Sequence, residues 1–187
     1  MIGGAWRSLA SPPRTSLAGA ILAISVLALG PGAASADPYG VGGPDAGFRP
    51  DNGEHTYCFG GDYTGDNARD GAHTAFTTLQ NQTTMISNFL LNCSGTTDAR
   101  FAIFTNPGLD GRWTCTAIAS TNPTRCEHAV LEFNRQNVGS QADWRQSACH
   151  ETGHSVGLHH GNDDCLGGDG SGANYSGHHV AHVNNDR

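Results

Sequence analysis

Residues 150–160 read His150-Glu151-Thr152-Gly153-His154-Ser155-Val156-Gly157-Leu158-His159-His160. Residues four apart on an α-helix lie on one face, a turn apart, so His150 and His154 can present their imidazoles to a single point. Such a pair suits zinc, which takes neutral histidine nitrogen and favours four ligands. Glu151 follows His150 directly. Its carboxylate projects beside such an ion rather than onto it, where a base for a zinc-activated water belongs. Two histidines do not hold a catalytic zinc alone. Gly157 supplies a left-handed exit from the helix. The chain can then fold back to bring His160 to the same ion, leaving the fourth position to water. His159 is the alternative third ligand, and the spacing favours His160.

The helix carrying these residues has recognisable ends. Ser140 followed three places later by Asp143 is a capping-box pattern, so the helix is expected from Gln141 to Val156. Beyond it the sequence reads as loop up to Ser176, followed by a short helix over Gly177–Val183.

Upstream, Thr56–Phe59 is a candidate strand. Ala68, Ala72, Phe76, Leu79, Thr83, Ile86 and Leu90 recur at gaps of three and four. That stripe predicts one core-backing helix from about Asn67 to Leu91. Arg100–Phe104, Trp113–Ile118 and His128–Phe133 read as strands separated by Gly, Pro and Asn.

The pattern His-Glu-x-x-His-x-x-Gly-x-x-His at 150–160 resembles that of the metzincin metalloproteases, with Leu158 similar to the matrixin and serralysin branches. The resemblance implies an α+β fold: a small mixed β-sheet, a backing helix, an active-site helix and a small C-terminal lobe, with a shallow cleft between upper and lower parts. It implies that the strand at His128–Phe133 borders the cleft and pairs with extended substrate. It also implies a zinc-dependent endopeptidase acting on a peptide or protein substrate. One catalytic Zn2+ would sit on His150, His154 and His160, with Glu151 as general base. Metzincins carry a methionine in a tight turn beneath the zinc. The only methionines here are Met1 and Met85, and Leu166 is the candidate for that position. Tyr175 is expected either near the zinc or simply packed. The absent methionine motivates an alternative, a catalytically weak or inactive zinc-bearing extracellular binding protein; the intact Glu151 argues against it.

The 187-residue chain opens with Arg7 and Arg14, an apolar stretch from Leu17 to Leu29, and Ala34-Ser35-Ala36 before Asp37. That order predicts a secretory signal peptide over 1–36. A flexible Gly-, Pro- and Asp-rich arm over 37–54 and one metalloprotease domain over 55–187 would follow. The product is expected to be secreted and monomeric, with no membrane attachment after cleavage. The chain carries a formal charge of −7 and its basic residues are all arginine. Such a surface lacks the clustered cations that nucleic acid or anionic lipid requires. Six cysteines in an exported chain read as disulfides. Sequential pairing, Cys58–Cys93, Cys115–Cys126 and Cys149–Cys165, is the simplest of about fifteen arrangements.

Other polar groups are less specific. Asp163, Asp164 and Asp169 fall in a Gly-rich loop of a kind that can bind Ca2+. Their spacing does not match an EF-hand, so a solvated loop is expected. His178, His179 and His182 form a cluster, read as a satisfied polar face with a second metal site as the alternative. His55, His73 and His128 read as structural.

Overall fold

The computed structural model describes residues 48–160, 164–167 and 172–185. The expected signal segment, residues 37–47 of the arm, Asp163 and Asp169 lie outside them. In chain order the described elements are β1 (Arg49–Pro50), β2 (Glu54–Phe59), α1 (Asp66–Gln82), β3 (Ile86–Phe89), β4 (Ala99–Phe104), β5 (Gly111–Ile118), β6 (Arg125–Asn134), α2 (Gln141–Ser155) and α3 (Gly177–Asn185). The fold is α+β. Arg49, Pro50 and Glu54, in the last part of the expected arm, are strand residues.

The sheet is mixed. β3, β2, β4 and β6 pair in parallel, short β1 pairs with β6 at Arg125–Cys126, and β5 pairs antiparallel with the other side of β6. Among the described strands β5 pairs only with β6, so its far edge is an unpaired ladder. Ala68, Ala72, Ala75, Phe76 and Leu79 form the buried stripe of α1. Phe76 stacks on Tyr57 of β2 with ring centres 4.0 Å apart. The core continues through stacked Phe101 and Phe133 to Trp144 of α2. Burying such aromatic side chains is the main favourable contribution to this small domain.

The helix expected to reach Leu91 stops at Gln82. The hydroxyl of Thr83 donates to the Leu79 carbonyl and accepts from Met85 N–H, a side-chain alternative to the next helical turn. Ile86–Phe89 then pairs with β2 as a strand. Ile86 and Leu90 continued the stripe arithmetically, yet Ile86 is 57 % exposed. Periodicity alone could not register that β2 had an unpaired edge to fill.

All three disulfides follow the sequential pattern: Cys58–Cys93, Cys115–Cys126 and Cys149–Cys165. The second joins β5 to β6 across the antiparallel pair. The capping box forms at the start of α2, with Asp143 N–H donating to the Ser140 hydroxyl and Ser140 N–H to the Asp143 carboxylate.

Candidate metal centre

α2 delivers His150 and His154 on one face, and Gly157, at φ 86°, turns the chain out of the helix. A residue with a Cβ is strained in that region of backbone space. The redirected segment brings in His160. The Nε2 atoms of His154 and His160 each lie 3.1 Å from Nε2 of His150. Nitrogens bound to one tetrahedral zinc at ~2.0–2.1 Å sit roughly 3.3 Å apart. The three side chains together form a group that could hold a metal ion such as zinc. The group does not include His159, the alternative ligand.

Proton positions support the same reading. His150 Nδ1 lies 2.9 Å from the Cys165 carbonyl oxygen, and His154 Nδ1 lies 2.8 Å from that of Leu158. A carbonyl only accepts, so each Nδ1 carries the proton and each Nε2 presents a lone pair. Lone pairs of neutral imidazoles converging at 3.1 Å repel one another unless a cation lies between them. Burial, assisted by the neighbouring His150, pushes the His154 pKa down to about 3. It is therefore neutral at physiological pH, the form a metal ligand requires.

Glu151 is buried, and its carboxylate lies against the backbone of Gly111 at the start of β5. A Cβ placed on Gly111 would fall 2.6 Å from Glu151 Oε1. Glu151, His150, His154 and His160 share the wall of a cavity of about 1000 Å3 with Gly111, Trp113 and Cys115 of β5. Trp113 is 7 % exposed, and its indole nitrogen is buried without a hydrogen-bond partner among the described residues. The cleft is thus bordered by β5. β6, containing the His128–Phe133 segment expected there, is covered on both sides by β4 and β5. The sequence signal for β5 was its alternation, with the less exposed Gly111, Trp113, Cys115 and Ala117 between exposed Arg112, Thr114, Thr116 and Ile118.

Beneath the centre, Leu166 is fully buried, and its Cδ2 lies 2.9 Å from the position a Cβ on Gly153 would take. It therefore forms an apolar floor against α2 at Gly153, between the two histidines in sequence. The Cys149–Cys165 disulfide and the hydrogen bond from His150 Nδ1 to Cys165 O attach this floor to α2.

Several polar residues take structural places. Tyr175 is packed: it is buried, and its hydroxyl donates to the Cys149 carbonyl. Asp164 is not solvated, as its loop had suggested. It is 3 % exposed, accepts from the backbone N–H groups of Leu166 and Ser176, and pairs with His179 Nδ1. Acidic residues in a Gly-rich run look alike in sequence, and only the tertiary fold buries this one. His55 of β2 is buried and donates to the Ser155 hydroxyl, which donates in turn to the Thr152 carbonyl. His73 bonds to the Tyr57 hydroxyl and His128 to the Thr97 carbonyl.

No family model matches the sequence, and no curated protein sequence matches it. Among solved structures the chain is similar to two of myroilysin. One is 18 % identical with a TM-score of 0.40, covering 60 % of this chain and 52 % of that one. The other is 19 % identical with a TM-score of 0.40, covering 63 % of this chain and 49 % of that one. The chain spans about half the length of those proteins.

Proposed function

We propose that the protein is a secreted zinc-dependent endopeptidase, with His150, His154 and His160 as zinc ligands and Glu151 as general base. The observation that supports this reading is that one buried glutamate and three converging histidines share the wall of a cleft bordered by a strand edge unpaired among the described strands. Three disulfides suit an oxidising, extracellular setting.

A bound zinc would supply Lewis acidity, lowering the pKa of a water and polarising the scissile carbonyl. The protein's own groups do the rest. The backbone N–H and C=O groups on the free edge of β5 can pair with an extended peptide as an added strand, holding its amide beside the histidines. Glu151 takes the proton from the attacking water and delivers it to the departing amine. Gly111 leaves room for the carboxylate where a side chain would evict it.

The test is cleavage of a mixed peptide library by the zinc-loaded protein, with and without chelator, alongside Glu151→Gln. Glutamine keeps the size of glutamate but cannot accept the proton. Cleavage should stop with chelator and fall by ~10²–10⁴-fold in Glu151→Gln, with zinc content unchanged. Equal absence of cleavage in both fully loaded proteins would transfer the reading to a zinc-bearing binding protein.

A further inference from the structure

α3 carries three histidines with two different surroundings. His179 points inward, is 2 % exposed and pairs with Asp164. His178 and His182 are half-buried, on a different face of the helix from buried His179 and Val183. Their Nε2 atoms are 3.2 Å apart, with ring centres 4.5 Å apart and planes at 88°. The corresponding values for His150 and His154 are 3.1 Å, 4.7 Å and 83°. One helix thus repeats, away from the cleft, the two-histidine half of the centre on the other.

We propose that His178 and His182 form a second, exchangeable site for a borderline divalent cation of the Zn2+, Cu2+ or Ni2+ class. Imidazole nitrogen suits these metals and discriminates against Ca2+ and Mg2+, which take oxygen. The separation of the two nitrogens fits one tetrahedral ion at ~2.0–2.1 Å. The i, i+4 spacing presents both donors from a single helix face, so binding orders no loop. With two histidine donors rather than three, the site is weaker than the three-histidine centre. Its effect is on the terminal helix. An ion bridging the two histidines ties successive turns of α3, whose Val183 is buried and whose Asn184 side chain accepts from Thr84 N–H.

The test uses the mature protein with its first zinc already bound, titrated with Zn2+ by calorimetry. Wild type should take up a second equivalent, more weakly than the first. His178→Ala and His182→Ala should each lose that event and retain the first zinc. Excess Zn2+ should raise the Tm of wild type and of Glu151→Gln, but of neither α3 variant, because only an ion that binds the native state stabilises it. Absence of a second equivalent would overturn the proposal and leave the pair as a histidine–histidine hydrogen bond. A second equivalent that survives both substitutions would also overturn it. His160→Ala separates the two centres, since it should weaken the first event and spare the second.

Discussion

Gly111→Ala tests the placement of the proposed base without touching a proposed metal ligand. Gly111 belongs to β5 and lacks the positive φ that would make alanine intrinsically strained. Its new methyl would meet Glu151 at 2.6 Å from Oε1, 3.0 Å from Cγ and 3.1 Å from Cδ. Ordinary contact begins near 3.5 Å, so the carboxylate must retreat by about 1 Å. A misplacement of that size in a reacting group costs up to ~10²-fold, equivalent to about 2.7 kcal/mol of barrier. We expect kcat/KM to fall by roughly 10- to 100-fold, carried by kcat, with one zinc retained. Gly139→Ala is the control, since a Cβ there meets nothing within 4 Å. The assay is steady-state cleavage of a fluorogenic peptide selected from the library, with zinc measured in the same samples. A rise in KM at constant kcat would mean that the methyl obstructs substrate rather than base. Full activity in Gly111→Ala would refute the placement of Glu151 against β5 in the working protein.

Three further outcomes are expected. His160→Ala should weaken zinc binding far more than His159→Ala, measured by competition with a chromogenic chelator; the reverse order would make His159 the third ligand. Replacing Cys149 and Cys165 together by serine should cost ~2–5 kcal/mol in chemical denaturation, and unchanged stability would remove the role assigned to that clamp. Burial pushes His55 down to about 4, partly offset by the charge of Asp51. The unfolded chain, with its histidine near ~6.5, then binds the proton first as pH falls. His55 therefore contributes stability that is fully present above pH ~6.5 and is lost as pH drops toward 4. In urea titrations with chelator, the stability difference between wild type and His55→Gln should shrink by roughly 2 kcal/mol between pH 7 and pH 4.5; a difference independent of pH would count against a neutral buried His55.

What could be read from the sequence was local. The capping box at Ser140 and Asp143, the exit at Gly157 and the converging histidines all depend on residues within about twenty positions. Backbone geometry fixes such relations before any tertiary contact is made. The disulfides follow the simplest reading, each cysteine pairing with its sequence neighbour, at separations of 35, 11 and 16. The misreadings were long-range. The stripe on α1 extended arithmetically into Ile86 and Leu90, because a period of 3.6 carries no information about an unpaired strand elsewhere. The cleft wall was assigned to the apolar His128–Phe133, whereas its strong apolar character marks an interior strand, flanked on both sides. The alternating Gly111–Ile118 is the half-covered edge. Asp164 reads as solvated because its partner His179 lies on a helix beyond the loop, while His55, which reads as structural, has its partner 100 residues away.

The Cys149–Cys165 bond encloses residues 150–164, and with them all three candidate donors. The centre is therefore inscribed in one small covalent ring rather than assembled from distant parts of the chain. Bringing its donors together asks little of loop-closure entropy, so the ring can order early, with the sheet docking onto it afterwards. Chemistry and selectivity are then carried by separate stretches of sequence. Under the proposed function the ring would hold the ion, while β5, some forty residues upstream, would meet the substrate. The strand can diversify residue by residue, with Gly111 as the position where the two must still fit each other.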